Sequence, residues 1–157
     1  MQSAINVRAA EAADFRQWAG LYRRYRAFYR LEADEEVVER VWQWVADPAN
    51  EMNSFVAVST TEPGGPELVG LANYRRFSRP SSGTIGVYLD DLFAAETARG
   101  RGVGRALLRR LSQLAQAEGL SVVRWMTSAD NQPARRLYDD TATLTKWVTY
   151  ELLPGSL

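Results

Sequence analysis

The sequence predicts an α/β fold in which one mixed, mostly antiparallel sheet carries the helices. Strand and helix periods alternate along the chain in the order β-α-α-β-β-β-α-β-α-β. Three consecutive strands between helices favour a mixed sheet over a doubly wound parallel one. The length of 157 residues, with 46% hydrophobic and 24% charged residues, suits a single domain over residues 1–157.

The first third of the chain predicts a short strand and two helices. Residues 5–8 alternate as a strand does. Asp14 is the predicted N-cap of a helix over about residues 14–30, with Gln17 at its third position. This helix carries aromatic residues at helical spacing: Phe15, Trp18, Tyr22, Tyr25 and Tyr29. Asp34 is predicted to cap a second helix, which ends before Pro48.

Three strands follow, over residues 54–59, 68–74 and 84–94. The segments between them contain proline and glycine, which favour turns. The third strand is long and leads the chain directly into a glycine-rich loop.

The last third predicts a helix, a strand, a helix and a strand. Val103, Leu107, Leu111 and Leu114 lie at helical spacing, and Gly119 suits the position after that helix. Residues 121–126 form an apolar, β-rich run, and residues 131–138 open a second helix with Pro133 in its first turn. Residues 144–152 alternate roughly and predict a closing strand.

Composition excludes several function classes. Nineteen basic residues balance nineteen acidic ones, so we expect no nucleic-acid or membrane partner. No apolar run has the length of a membrane span and the first residues do not resemble a signal peptide, so a cytoplasmic protein is expected. The chain has no cysteine and no histidine, which excludes a Ser-His-Asp triad, a cysteine nucleophile and a zinc site built from those ligands. We expect no metal.

The glycine-rich loop runs from Arg99 to Gly104 and opens the helix that follows. Glycine allows close backbone approach to a ligand, and a helix N-terminus offers unpaired N–H groups, so the segment predicts a phosphate site. A Rossmann fingerprint requires glycine where Arg105 stands, and a Walker A loop requires lysine there. Both nucleotide loops are therefore excluded by spacing.

Two motifs together resemble those of the GCN5-related N-acetyltransferases (GNAT). Arg99-x-x-Gly102-x-Gly104 is similar to the family's pyrophosphate loop for acetyl-coenzyme A (acetyl-CoA), and Asn131-x-x-Ala134-x-x-Leu137-Tyr138 to its second motif. The strand Leu89-Asp90-Asp91-Leu92-Phe93 is most similar to the spermidine/spermine and small-amine subgroup. The resemblance implies the GNAT fold, with a sheet splayed at the acetyl-CoA site, and acetyl-CoA as co-substrate.

The resemblance also implies catalytic roles for Asp90 and Tyr138. Asp90 stands where the family has a base, and because it is shorter than the subgroup's Glu we expect a water between it and the amine. Tyr138 matches the general acid that protonates the thiolate of coenzyme A. Strand alternation places Asp91 on the opposite side from Asp90 unless a bulge turns the strand here.

Further residues are expected to bind the two substrates. The resemblance places the pantetheine arm of the donor along Leu92, Phe93 and Ala94, with an oxyanion donor among the amides of Leu92 or Phe93. The remaining donor-binding residues are Arg99, Gly100, Arg101, Gly102, Val103, Gly104, Arg105, Asn131, Ala134 and Tyr138, with Arg101 and Arg105 adding charge to the phosphates. Candidate acceptor-binding residues are Asp91, Tyr29 and Glu32.

The acceptor is left open by the sequence. Aromatic residues and carboxylates around the first two helices suit a polyamine, whereas Arg23, Arg26, Arg30, Arg75, Arg76 and Arg79 would suit an acceptor with a carboxylate. A protein or peptide amine is an alternative, as are a non-catalytic acetyl-CoA-binding module and an interaction domain without a ligand. We rank a small amine or amino acid first, and expect a homodimer that uses the tail from Trp147 to Leu152.

Overall fold

The computed structural model describes residues 4–156. Its strands are β1 (Ile5–Ala9), β2 (Asn53–Ser59), β3 (Glu67–Arg79), β4 (Thr84–Ala94) and β5 (Val123–Arg124). Its α-helices are α1 (Phe15–Phe28), α2 (Glu35–Ala46), α3 (Val103–Glu118) and α4 (Gln132–Thr141). Single 3-10 turns at Ala12–Asp14 and Glu96–Ala98 precede α1 and the glycine loop. The chain divides into two compact units, one ending at Met126 and the other beginning at Thr127.

The five strands form one sheet in the order β1-β2-β3-β4-β5. The first four strands are antiparallel neighbours, and β5 lies parallel to β4, so the predicted mixed sheet is confirmed. The pairing of β5 is short, because only Val87 and Tyr88 of β4 face it. Beyond Tyr88, no described strand lies on that side of β4.

The core of the first unit lies on both faces of the sheet. Trp18 of α1 is fully buried and its indole N–H donates to Ser54 Oγ at 3.0 Å. Phe93 contacts Tyr25 of α1 on one face of the sheet. On the other face, the Tyr74 ring stacks on the Phe55 ring, and the guanidinium of Arg110 on α3 lies over Phe55. The helices α1 and α3 therefore cover opposite faces.

The start of α1 differs in detail from the prediction. Asp14 precedes the helix as expected, but its carboxylate does not cap it. It binds the Arg8 guanidinium at 2.6 and 2.9 Å and accepts the Glu11 N–H at 2.8 Å. Gln17 does not complete a capping box either, because its side chain accepts the N–H of Leu68 at 2.8 Å. Both side chains tie the helix to the sheet.

The predicted closing strand over residues 144–152 is wrong, because this segment forms neither strand nor helix. A strand needs a neighbour for its backbone N–H and C=O groups, and among the described residues of the second unit α4 is the only regular element. The large apolar side chains of residues 144–153 are 68–91% exposed: Leu144, Trp147, Val148, Tyr150, Leu152 and Leu153.

Residues 4–156 contain neither a membrane-spanning helix nor a cluster of metal ligands. No helix there is long and apolar enough to cross a membrane. No group of three or more Asp, Glu, His or Cys side chains in that range is arranged to hold a metal ion.

Candidate functional site

A bulge in β4 places the two adjacent carboxylates. Asn73 of β3 is paired with Asp91, but the next residue, Tyr74, is paired with Leu89. Asp90 is therefore an extra residue in β4. A bulge breaks the strict alternation of side chains along a strand. Asp90 and Asp91 can therefore lie on the same face of the sheet.

Asp91 lies in a cluster of hydrogen-bond donors. Asn73, which is fully buried, donates its amide to Asp91 Oδ2 at 3.0 Å. Tyr22 and Tyr25 on α1 lie close enough to this carboxylate for its charge to act on their hydroxyls. Burial, followed by the charge of Asp91, raises the pKa of both phenols, which keeps them protonated as donors.

Asp90 is bound on the same side by a guanidinium. Arg75 Nε donates to Asp90 Oδ2 at 3.1 Å, and Arg75 lies over the Tyr88 ring at 4.9 Å. Burial raises the pKa of Asp90 against the opposing effect of Arg75, and the neighbouring charge of Asp91 adds to the increase. Asn73 and Arg75 are alternate residues of β3 and share one face of the sheet, so the two carboxylates that they bind lie on the same face. The bulge is the exception to strand alternation that the sequence left open.

Aromatic side chains of α1 form a continuous column beside the two carboxylates. Trp18, Tyr22, Tyr25 and Tyr29 follow one another with ring centroids 4.9, 5.5 and 5.0 Å apart. Phe93 touches Tyr25 from the sheet at 6.2 Å. The helical spacing in the sequence predicted this column, and burial at its Trp18 end shows that part of it is core.

Of the two other candidate acceptor residues, Tyr29 is the last ring of this column and Glu32 follows three residues later in the chain. Tyr29 is the residue that ends α1, and Glu32 is exposed in the loop that follows. The carbonyl of Glu32 accepts a hydrogen bond from Arg26 Nη2 at 2.9 Å. This contact holds the Arg26 side chain beside the loop.

Beyond the bulge, alternate backbone N–H groups of β4 point towards the edge of the sheet where no described strand lies. Ala95 donates its N–H to a β3 carbonyl at 2.8 Å, and Val87 donates its own to the chain just before β5 at 2.8 Å. Because N–H directions alternate along a strand and the bulge shifts that alternation by one residue, the amides of Leu92 and Ala94 point away from β3. The amide of Phe93 points towards β3.

The glycine loop has the backbone that a phosphate site requires. Gly100 and Gly102 have φ angles of +76° and +79°, a region that side chains with Cβ rarely adopt. A Cβ built at either position would meet nothing within 4 Å, so the space above the loop is open. Because α3 begins at Val103, the amides of Gly102, Val103 and Gly104 have no intrahelical acceptor. The residues present therefore fit a pyrophosphate.

Arg101 braces this loop from below. Its guanidinium donates to Glu62 Oε1 and Ser59 Oγ, each at 2.8 Å, and to Thr61 Oγ1 at 3.3 Å. The pairing lowers the pKa of Glu62, with Arg101 as the largest cause. The expectation that this side chain adds charge to a phosphate is therefore corrected, because its guanidinium is occupied within the protein. Arg99 lies over the Phe28 ring at 5.4 Å.

The second motif lies in the second unit, on α4. Asn131 directly precedes the helix, and its side chain donates to Thr127 Oγ1 at 3.4 Å rather than capping the helix. Ala134 and Tyr138 are half-buried residues of α4, and Tyr138 lies about two turns after Asn131. The predicted helix and its Pro133 start are confirmed.

Sequence reasoning missed the part of the site that tertiary contacts create. Asn73 was not a candidate, and its only signal is a polar residue within the apolar run of β3. The hydroxyls of Tyr22 and Tyr25 were considered only as aromatic groups. Their proximity to Asp91 depends on the register of β4 against α1.

Comparisons with known proteins agree with this geometry. The family model described as the acetyltransferase (GNAT) family matches residues 18–141. The D-amino-acid N-acetyltransferase HPA3 of Saccharomyces cerevisiae is 31% identical over 94% of this chain and 89% of its own length. The thialysine N-epsilon-acetyltransferase of Caenorhabditis elegans is 31% identical over 64% of this chain and 62% of its own. A solved probable acetyltransferase aligns with a TM-score of 0.82 at 22% identity, covering 97% of this chain and 99% of that one.

Proposed function

The chain belongs to the GNAT family of acetyltransferases and is an acetyl-CoA-dependent acyltransferase; from that premise we propose that its acceptor is a primary amine of a small molecule. The observation that carries the proposal is the bulge at Asp90, which puts two carboxylates beside the α1 aromatic column. The open amides of Leu92 and Ala94 follow on the same strand.

The donor is assigned to the glycine loop and the end of β4. The amides of Gly102, Val103 and Gly104 receive the pyrophosphate, with Gly100 providing the turn that precedes them. The open amides of Leu92 and Ala94 meet the pantetheine arm, and that of Leu92 serves as the oxyanion donor. Arg99 and Arg105 remain proposed phosphate-binding residues.

Proton transfer is assigned to Asp90 and Tyr138. A lysine-like amine has a pKa near 10.4, so only about one molecule in 10³ is neutral at pH 7. Asp90 takes the ammonium proton through a water, and its raised pKa makes it the better proton acceptor. The free amine forms a bond to the acetyl carbon, the carbon–sulfur bond breaks, and the thiolate takes a proton from Tyr138. The nitrogen gives up its second proton through water to the Tyr138 phenolate, and Asp90 releases its proton to solvent. Asn131 and Ala134 complete the motif that suggests this role.

A small acceptor is supported by two relatives. One is named for D-amino acids and the other for thialysine, and both are small amines. The nearer resemblance to the spermidine/spermine subgroup stays a prediction. We propose Asp91, Tyr29 and Glu32 as acceptor-binding residues, because the charge of Asp91 acts on the α1 tyrosines, Tyr29 is the last ring of the column and Glu32 is exposed in the loop that follows.

Three broader predictions also remain proposals. The family match over residues 18–141 supports a single domain, since it crosses from one compact unit into the other. The exposed apolar side chains of residues 144–153 support a homodimer in which this tail is covered by a second copy. A cytoplasmic location stays a prediction from the sequence.

A thiol-release assay tests the proposed activity. Because the chain has no cysteine, a thiol reagent reports only the coenzyme A that the reaction releases. We expect release with a small amine from a panel of polyamines, amino acids, aminoglycosides and peptide amines. Release with peptide amines alone, or acetyl-CoA binding without any release, would contradict the proposal.

The proposed acid is tested in the same assay. Tyr138→Phe should lower kcat about 10²-fold, because the phenol proton is lost while the ring is kept. Tyr150→Phe, which removes a phenol from an exposed tail position, is the matched control and should leave turnover unchanged. Equal turnover of the two variants would remove Tyr138 from the mechanism.

A further inference from the structure

Two buried side-chain polar atoms within residues 4–156 have no hydrogen-bond partner: Nε of Arg26 and Oδ1 of Asn73. A buried polar atom without a partner costs free energy, so its presence in a folded protein requires an explanation. One of these atoms is a donor and the other is an acceptor.

Both atoms adjoin the same pair of side chains. Asn73 donates to Asp91, whose charge acts on the Tyr22 hydroxyl, and Phe93, two residues further along β4, contacts Tyr25 on the same helix. Arg26 lies one helical turn after Tyr22 on α1, and its charge acts on that hydroxyl. The unpartnered atoms thus flank the Tyr22–Asp91 pair from the helix and from the sheet.

The chemistry of each residue restricts its missing partner. An ionised carboxylate only accepts hydrogen bonds, so the Asn73 amide nitrogen must face Asp91, and Oδ1 remains to accept. An ammonium group between Asp91 and Asn73 Oδ1 would supply that donor. The guanidinium of Arg26 only donates, and a second nitrogen of it is already bound to the Glu32 carbonyl. A carboxylate is the strongest acceptor that Nε could meet.

We propose that the acceptor is a zwitterionic α-amino acid, whose ammonium is held by Asp91 and Asn73 Oδ1 and whose carboxylate is held by Arg26. This assignment rests on the proposed acetyl transfer and narrows its substrate class. A polyamine carries only positive charge, and both Arg26 and Arg75, beside the carboxylates, disfavour it. Arg26 and Asn73 are therefore specificity-determining residues.

Matched substrates test the proposal on the unaltered protein. Alanine and lysine, each as both enantiomers, are compared with their carboxamides and with spermidine in the thiol-release assay. We expect kcat/KM for the preferred amino acid to exceed that for its carboxamide by about 10- to 100-fold, the effect of losing a charged hydrogen bond. An α-amine next to an amide is less basic than in the free acid, so its chemistry alone would favour the carboxamide. Equal or better use of carboxamides or spermidine would overturn the proposal.

A binding measurement separates this proposal from the proposed activity. Calorimetric titration of the same amino acids and carboxamides, with coenzyme A present, requires no turnover. Preference for the amino acid without thiol release would support the zwitterion site and contradict the proposed activity. Thiol release from amines with no preference for a carboxylate would support the proposed activity and contradict the zwitterion site.

Variants on one helix assign the carboxylate contact. Arg26→Gln should raise KM for the amino acid about 10- to 100-fold and leave that for the carboxamide unchanged. Arg23→Gln is the matched control, because Arg23 lies one turn earlier and is paired with Glu35 in solvent. Arg26→Met, which removes the charge and keeps an unbranched side chain, covers the case in which the glutamine variant does not fold. Retained discrimination in the Arg26 variants would overturn the assignment.

Discussion

At the scale of the residue, the Asp14 carboxylate holds the entry to α1. It is nearly buried, binds Arg8 through two hydrogen bonds and accepts the Glu11 N–H. The hydrogen bond from Arg8 is the largest cause that holds the pKa of Asp14 below its ordinary value of 3.8. A carboxyl whose pKa is lower in the folded than in the unfolded state stabilises the fold above the unfolded value.

Asp14→Asn should lower the free energy of unfolding at pH 7 by about 1.5–3 kcal/mol, the usual contribution of hydrogen bonds to a charged group. The stabilising effect in the wild type is lost as pH falls from 3.8 through the lower folded pKa, so the variant should lose less stability there. Urea unfolding at several pH values measures both effects. Glu39→Gln on the exposed face of α2 is the control, expected within about 0.5 kcal/mol of wild type. If the free energy of unfolding fell equally with decreasing pH in wild type and Asp14→Asn, the stabilising role of the Asp14 carboxylate would be contradicted.

At the scale of the element, the start of α3 packs directly on a strand without a side chain between them. A Cβ added to Gly70 of β3 would lie 2.5 Å from Val103 Cγ1 and 2.9 Å from the Phe93 carbonyl oxygen. Val103 is the first residue of α3 and directly follows the glycine loop. The position of the proposed donor loop therefore depends on this contact.

Gly70→Ala should destabilise the fold by about 1–3 kcal/mol through overpacking and raise KM for acetyl-CoA. Gly20→Ala in α1 is the matched control, because its Cβ would meet nothing within 4 Å. That variant should gain about 0.5–1 kcal/mol from helix propensity. Thermal unfolding and donor kinetics measure both, and equal stability of the two variants would show that the contact is unimportant.

At the scale of the whole molecule, the tail over residues 144–153 leaves large apolar side chains in solvent. If a second copy covers it, light scattering at micromolar concentration should give twice the chain mass of 17.6 kDa. Val148→Lys should then shift the mass to that of a monomer, whereas Trp44→Lys on α2 should not. A monomer mass for the wild type would remove the dimer.

Local patterns predicted most of the fold and of the proposed donor site. The order of elements up to α4 and the loop from Gly100 to Gly104 depend on residues close in sequence, and the structure has them where expected. The bulge at Asp90, the buried Asn73 and the brace on Arg101 depend on strand register and distant loops, which periodicity does not report. The strand predicted over residues 144–152 is wrong for a related reason, because alternation of residues predicts a strand but does not show whether a neighbouring strand exists.

The extra residue at Asp90 means that the two halves of β4 are out of phase. Before Asp90, odd-numbered residues such as Val87 point their backbone N–H groups away from β3, towards β5. After Asp90, the even-numbered residues Leu92 and Ala94 point theirs away from β3, towards the open edge. If β4 instead paired regularly, with Asp90 rather than Asp91 opposite Asn73, the phase of everything from Asp91 to Ala94 would be inverted, turning the amide of Phe93 outwards and those of Leu92 and Ala94 towards β3. The bulge therefore decides which amides of β4 face the open edge, independently of the side chains that the strand carries.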